Sequence, residues 1–78
     1  MILIDEVRKR FEAAGYRISP RDDVTEAGAA WFLGIAAGTL GNWRTQKRAP
    51  RHIKLGSGTH YPIEGLLDWL ARRMSDAA

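Results

Sequence analysis

The chain has 78 residues, enough for one small domain with a modest hydrophobic core, and a formal net charge of +3. It contains no cysteine, which excludes disulfide bonds, thiolate metal sites and cysteine nucleophiles. The apolar opening, residues 1–4, is too short for a membrane span and has no basic region before it. We therefore expect a single domain over residues 1–78, cytoplasmic and without a membrane partner.

Residues 1–16 are predicted to form an amphipathic N-terminal helix that ends near Gly15. Its apolar residues share one face: Ile4, Val7, Phe11 and Ala14. The basic run at residues 8–10 is either neutralised by acidic neighbours or in contact with phosphate, and we favour the first interpretation. Residues 16–23 contain Pro20 and alternate in charge sign, which predicts a connecting loop laid across the domain.

Two short helices are predicted between Thr25 and Thr45. Thr25 is a suitable N-cap for the first helix, which extends to Leu33, and Gly34 marks the break before the second at residues 35–45. The apolar spacing places one face of each helix in a shared core: Ala29, Ala30, Leu33, Ile35, Leu40 and Trp43. This is helix-turn-helix spacing. Two large aromatic residues are assigned to the core or its edge rather than to base stacking: Trp31 and Phe32.

Residues 51–63 predict a β-hairpin, because outward and inward positions alternate on both sides of a Gly-Ser-Gly turn centred on Ser57. This centre predicts two cross-strand pairs: Ile53 with Tyr61 on the inner side, and Lys54 with His60 on the outer side. The hairpin would present three side chains outward as a wing: His52, Lys54 and His60.

A closing helix is predicted from Ile63 onward, directly after Pro62. Its apolar stripe consists of Leu66, Leu67, Leu70 and Met74. Trp69 lies off this stripe, so we predict that it is partly exposed and available to a second protomer or another partner. The expected fold class is mainly α with a small β-hairpin, a winged helix-turn-helix over residues 24–73 with an additional N-terminal helix.

The positive charge is concentrated in the middle of the sequence. No acidic residue lies between Glu26 and Glu64, while this stretch contains five basic residues: Arg44, Lys47, Arg48, Arg51 and Lys54. Such clustering indicates an anionic partner more strongly than the net charge does. The alternative is that these cations are only solvated charges on the surface of a hairpin.

The second predicted helix offers few side chains for reading bases. Among its outward residues, Asn42 and Arg44 have side chains that make bidentate base contacts, and Thr39 is placed to reach a phosphate. Gly38 and Gly41 each cost this helix roughly 1 kcal/mol relative to alanine. A close approach, either to DNA or to a second protomer, is expected to offset that cost.

Catalytic and metal-binding functions are not expected. His52 and His60 lie on the two strands of the hairpin, with His60 opposite Lys54 and no third ligand nearby, whereas zinc sites need three or four. Ser57 lies on the glycine-rich turn, but no carboxylate close in sequence would orient either histidine. We therefore predict no enzyme activity, no metal and no cofactor.

Several of these residues together resemble a known group of proteins. They are Leu33-Gly34-Ile35, Thr39-Leu40, Trp43, Pro50 before the hairpin, Tyr61-Pro62, and Leu67, Trp69 and Leu70 in the closing helix. This pattern is similar to the winged helix-turn-helix proteins of the MerR and excisionase superfamily. Within it the sequence resembles AlpA-type prophage regulators and phage excisionases, and also the DNA-binding domain of terminase small subunits.

The resemblance implies double-stranded DNA binding, with the second helix in the major groove, the wing in the minor groove, and neighbouring protomers assembling on the same DNA. It matches Thr39, Asn42 and Arg44 to recognition-helix positions. It also matches Lys54, Ser57 and Thr59 to wing positions. With the basic cluster, the complete predicted DNA-binding set is Thr39, Asn42, Arg44, Thr45, Lys47, Arg48, Arg51, Lys54, Ser57, Thr59 and His60.

The expected role is a transcriptional regulator or excisionase-like recombination directionality factor of a phage or mobile element. Two alternatives remain at this point. One is the DNA-recognition subunit of a terminase-like packaging complex. The other is a protein-binding adaptor that uses the same fold, with the glycine-lined helix and Trp69 at its interface.

Overall fold

The computed structural model describes residues 4–77, and the side chains of residues 4–73. The elements in chain order are α1 (Ile4–Ala13), β1 (Asp23–Thr25), α2 (Glu26–Leu33), α3 (Ala37–Thr45), β2 (Ile53–Leu55), β3 (Gly58–Pro62) and α4 (Ile63–Ala77). The prediction of a mainly α fold with a small, wing-like hairpin is confirmed. Residues 1–3 of the predicted first helix and the side chain of Met74 lie outside the described residues. Within the described part, no helix is both long and apolar enough to cross a membrane.

Helix α1 packs on the domain through the apolar face that its sequence predicts. Val7 and Phe11 are fully buried, whereas Ala14 is exposed, contrary to expectation, because the helix ends at Ala13. Gly15 then adopts a left-handed conformation with φ +88°. The chain turns back there, and the Tyr16 N–H donates to the Phe11 carbonyl at 2.9 Å.

Helices α2 and α3 form the predicted helix-turn-helix. The Thr25 hydroxyl caps α2 by accepting from the Gly28 N–H at 3.2 Å, and Gly34 ends the helix with φ 75°. Helix α3 begins at Ala37, two positions later than predicted. The reason is that the Ile35 N–H still donates to the Ala30 carbonyl at 3.0 Å, so Ile35 is bonded to the last turn of α2 and does not start α3.

The hairpin register differs by one residue from the predicted one. Strands β2 and β3 pair Ile53 with His60, Lys54 with Thr59 and Leu55 with Gly58. The prediction assumed a three-residue turn, but Gly58, with φ +125°, is the first residue of β3, so the turn has two residues. Because a one-residue slip exchanges the two faces of a strand, Ile53 is 38% exposed instead of facing inward.

Strand β1 was not predicted, since residues 16–23 were assigned to a loop. It pairs antiparallel with β3, placing Val24 opposite Tyr61, and gives a three-stranded sheet in the order β1-β3-β2. Three residues are too few to show an alternating pattern in the sequence. Since β1 leads directly into α2, it attaches the wing to the helix-turn-helix.

One core joins α1, the sheet and the other helices. Its buried apolar residues are Val7, Phe11, Val24, Ala29, Ala30, Leu40, Tyr61, Ile63 and Leu66. Phe32 stacks on Phe11 at a ring distance of 5.2 Å. Trp31 also packs on Phe11 but stays 41% exposed. Both residues therefore lie at the core or its edge, as predicted.

Candidate nucleic-acid interface

The outward face of α3, called the α3 ridge below, consists of Gly38, Gly41, Asn42 and Thr45. Leu40 is buried on the opposite side, which fixes the orientation of the helix. A Cβ added at Gly38 would meet no heavy atom within 4 Å, so the ridge is open at that point. The Thr45 hydroxyl donates to the Gly41 carbonyl at 3.1 Å. Asn42 is exposed and has both a donor and an acceptor, so it is the side chain on this ridge best suited to read a base edge.

Arg44 does not face outward, and that prediction is wrong. Its Nε donates to Oε2 of Glu26 at 2.9 Å, and its side chain is only 29% exposed. The Tyr61 hydroxyl donates to the same oxygen at 2.8 Å. Glu26 therefore connects α2 with α3 and β3, and its carboxylate compensates the charge of Arg44.

The hydrogen bonds around Glu26 favour its ionised form. The Arg44 hydrogen bond, which outweighs burial, and then the Tyr61 hydrogen bond lower the pKa of Glu26 below its ordinary value. Burial, and then the Glu26 hydrogen bond, raise the pKa of Tyr61. The pair is therefore a carboxylate acceptor and a phenol donor at neutral pH.

The segment that follows α3, residues 47–52, is called the basic loop below. Lys47 takes a left-handed conformation with φ 59°, and the Arg48 N–H donates to the Trp43 carbonyl at 2.8 Å. The chain thus reverses within two residues of the end of the helix. Lys47, Arg48 and Arg51 are all exposed, as expected for side chains that contact a polyanion.

The basic loop is braced against the rest of the domain by its backbone. The Trp69 indole N–H donates to the Arg48 carbonyl at 3.2 Å. Within the loop itself, the His52 Nδ1 lies 3.2 Å from the Pro50 carbonyl. Pro50 is buried. At Gly65 an added Cβ would lie 3.4 Å from the Cβ of Arg51, so the small residue allows the loop to lie directly on α4. The loop backbone is therefore fixed while its cationic side chains point outward.

A cavity of about 500 Å³ opens between the end of α3 and the approach to β2. Its lining contains basic residues but no carboxylate: Arg44, Lys47, Ala49, Pro50, Arg51 and His52. A concave site with this lining attracts an anion, and the clustering of cations strengthens the local positive potential. Phosphate is the anion that such a site on a helix-turn-helix would meet on DNA.

Trp69 is partly exposed, as predicted, and it also makes contacts inside the chain. Its ring lies 5.7 Å from that of Trp43, and the Arg73 guanidinium lies 4.6 Å from its centroid. The sequence analysis missed this anchoring role and that of Gly65. Gly65 could have indicated this packing from the sequence, because glycine inside a helix is unfavourable unless another segment approaches closely.

The wing contributes fewer free cations than predicted. Lys54 and Ser57 are exposed, and Thr59 is half-buried opposite Lys54. His60 was expected to point outward, but its side chain is 15% exposed and its Nδ1 lies 3.1 Å from Oδ1 of Asp23. The correct register explains the difference, since it places His60 opposite Ile53 and beside β1.

The predicted DNA-binding residues therefore occupy three surfaces. Thr39, Asn42 and Thr45 belong to α3, where Thr39 is half-buried. The basic loop holds Lys47, Arg48 and Arg51, and the wing holds Lys54, Ser57 and Thr59. Arg44 and His60 are instead paired with carboxylates of the same chain. Across the described part of the chain, no group of three or more potential ligand residues is placed to hold a metal ion.

No family model matches the sequence, and no curated protein matches it significantly. A fold by itself hosts many functions. Function therefore has to be inferred from the chemistry of the α3 ridge, the basic loop and the wing.

Proposed function

We propose that this protein binds double-stranded DNA with sequence preference, as a winged helix-turn-helix protein. The observation that carries the proposal is the basic loop: its Lys47 and Arg51 line a cavity with no carboxylate in its lining, and its backbone is held by Trp69 and Gly65. A rigid, cationic, concave surface next to a helix-turn-helix suits the DNA backbone better than it suits a protein partner.

In this proposal the α3 ridge enters the major groove. Gly38 allows the helix backbone to come close to the base edges. Asn42 donates to and accepts from one base, with adenine as the preferred match. Arg44 does not read a base. Its role is to hold α3 against Glu26, which fixes the angle at which the ridge is presented.

The basic loop and the wing supply the affinity for phosphates. Lys47, Arg48 and Arg51 lie at the end of the recognition helix, and Lys54 extends the positive surface onto the wing. Contacts of this kind position the protein on the duplex without reading its sequence. Neighbouring protomers would assemble side by side on one DNA. The test is the binding stoichiometry on a longer duplex, which should exceed one protein per duplex.

The biological role that suits such a small DNA-binding domain is a transcriptional regulator or a recombination directionality factor of a phage or mobile element. The resemblance to excisionases and AlpA-type regulators supports this role. We propose accordingly that the protein acts in the cytoplasm, associated with the nucleoid when bound to DNA.

The proposal is tested by fluorescence anisotropy with a labelled random duplex and with DNA that flanks the protein's own gene. We expect binding to both, tighter on the flanking DNA and weaker as the salt concentration rises. Lys54→Ala should flatten the plot of log affinity against log salt by about one unit. Lys9→Ala, which removes an exposed cation from α1, is the matched control and should not change the slope. No binding even at low salt would overturn the proposal and favour the protein-binding adaptor.

A further inference from the structure

A chain of hydrogen bonds connects the tip of the wing to β1. The Oγ of Ser57 lies 3.2 Å from Nε2 of His60, and Nδ1 of His60 lies 3.1 Å from Oδ1 of Asp23. Ser57 is exposed in the two-residue turn, whereas Asp23 is only 1% exposed. Sequence reasoning saw no carboxylate near either histidine, because Asp23 is 37 residues away from His60 and lies on the strand that was not predicted.

The surroundings of Asp23 keep its carboxylate charged. Burial favours the neutral acid, but hydrogen bonds from Ser19 and Arg21 more than offset it and lower the pKa of Asp23. The Arg21 Nε donates to Oδ2 at 3.0 Å, which leaves Oδ1 directed at the histidine. Asp23 is therefore an acceptor of fixed orientation.

This acceptor selects one tautomer of His60. With the carboxylate at Nδ1, the ring carries a proton on Nδ1; in the neutral ring the lone pair is then on Nε2, which lies within hydrogen-bond distance of the Ser57 hydroxyl. The three side chains have the connectivity of a serine nucleophile, a general base and an orienting carboxylate.

We propose that Ser57 is an activated nucleophile that accepts acyl groups from small activated esters. Because Ser57 lies on an exposed turn, the reactivity of the leaving group, rather than the shape of a pocket, determines the class of donor. The proposal is independent of DNA binding.

The step is a simple acyl transfer. The Oγ of Ser57 bonds to the carbonyl carbon of the ester while the bond from that carbon to the leaving oxygen breaks. The Ser57 proton moves to Nε2 of His60 and from there to the leaving group or to water. The products are a Ser57 ester and the released alcohol or phenol, and Asp23 stabilises the transient imidazolium without taking up a proton.

The experiment uses p-nitrophenyl acetate with the full chain, followed by intact mass measurement and peptide mapping. We expect one acetyl group on Ser57 and none there in Ser57→Ala. His60→Gln should slow acetylation of Ser57 by about 100-fold, the size of a general-base contribution. Lys9→Ala, which removes an exposed cation from α1, should keep the wild-type rate. Thr45, an exposed hydroxyl beside no histidine, is an internal control that should stay unlabelled.

If a variant fails to fold, a second measurement on the wild-type protein still tests the proposal. Wild-type protein labelled in denaturing urea should lose the enhanced reactivity of Ser57, since the three side chains are then apart. Acetylation confined to lysines, the amino terminus or a ring nitrogen would overturn the proposal. So would equal rates at Ser57 in the native and denatured protein.

Asp23 is a positioning residue, so its test needs a readout beyond stability. Nitrogen NMR shifts of the His60 ring should show the proton on Nδ1 in the wild type. In Asp23→Asn the Nδ1–H tautomer should lose its dominance, with a parallel loss of Ser57 acetylation. An unchanged tautomer and an unchanged rate would exclude Asp23 from the chain, and therefore contradict the proposal.

Discussion

The α3 ridge and the basic loop follow one another in the chain, yet they differ in almost every property that matters for binding DNA. The ridge has two glycines, one amide and one threonine, and its one nearby arginine is paired with Glu26. The loop has three exposed cations and a backbone braced by α4. Under the proposed function, this difference separates two tasks: the loop would provide affinity for phosphates, and the ridge would provide a smooth surface that reads few bases.

The largest effect is expected for Glu26, which keeps Arg44 out of the DNA-binding surface. Glu26→Ala leaves the Tyr61 hydroxyl and Arg44 without their acceptor. Because the side chains of the Arg44–Glu26 ion pair are partly exposed, we expect the free energy of unfolding to fall by about 2 kcal/mol. The released Arg44 should add one phosphate contact, and the salt dependence of binding to random DNA should become steeper by about 0.9.

Urea denaturation and anisotropy measure these two quantities. Glu12→Ala on α1, an exposed carboxylate, is the matched control, with a change in stability within about 0.5 kcal/mol and an unchanged slope. A Glu26 variant that is as stable as the wild type would mean that the ion pair does not hold α3.

Asn42 distinguishes base reading from phosphate binding. Asn42→Ala should reduce the ratio of specific to random affinity by about tenfold, or about 1.4 kcal/mol, with little loss on random DNA. Thr45→Val on the same ridge should keep that ratio, because the hydroxyl is already bonded to the Gly41 carbonyl. An equal loss on both DNAs would remove base reading from the ridge.

Gly38 tests whether the open surface of α3 serves DNA. Gly38→Ala meets no neighbouring atom within 4 Å and should therefore stabilise the helix by about 1 kcal/mol, through intrinsic propensity alone. The same methyl group should weaken specific DNA binding by holding α3 away from the groove. Thermal denaturation and anisotropy should thus change in opposite directions. A variant that is more stable and binds equally well would show that no close approach occurs at Gly38.

The smallest effect is expected from acid. The Arg44 hydrogen bond and then the Tyr61 hydrogen bond hold the pKa of Glu26 below its ordinary value in the folded protein. A carboxylate with a lowered folded-state pKa stabilises the protein above its unfolded pKa, and that contribution is lost as the pH falls through the folded value. Between about pH 7 and about pH 3, the free energy of unfolding should therefore fall less in Glu26→Gln than in the wild type. Equal losses in the free energy of unfolding for the two proteins would contradict the lowered pKa of Glu26.

The helices were predictable because their signals are local. Thr25, Gly34 and Gly15 mark helix ends by their own chemistry, and the spacing of apolar residues identified Val7, Phe11 and Leu40 as buried. The concentration of cations between α3 and β2 was likewise visible as the absence of acidic residues. These features depend on neighbours within about two helical turns.

The errors at the candidate site depend on contacts between distant parts of the chain or on one backbone angle. The hairpin register follows from which glycine takes the positive φ, and here Gly58 takes it from inside the strand. The pairing of Arg44 with Glu26, and of His60 with Asp23, requires knowledge of which elements pack together. Basic side chains without an acidic neighbour in the sequence are therefore partly paired with carboxylates from other elements in the folded protein.

The separation of tasks is tested most directly by the salt dependence of binding to a random duplex. At about −0.9 per phosphate contact, the four cations of the loop and wing predict a slope near −3.6 for the wild type. A loop variant with Lys47, Arg48 and Arg51 changed to glutamine should give a slope near −0.9, while Asn42→Ala should keep the wild-type value. Equal slopes for the loop variant and the wild type would contradict the account, because the phosphate contacts would then lie elsewhere on the protein.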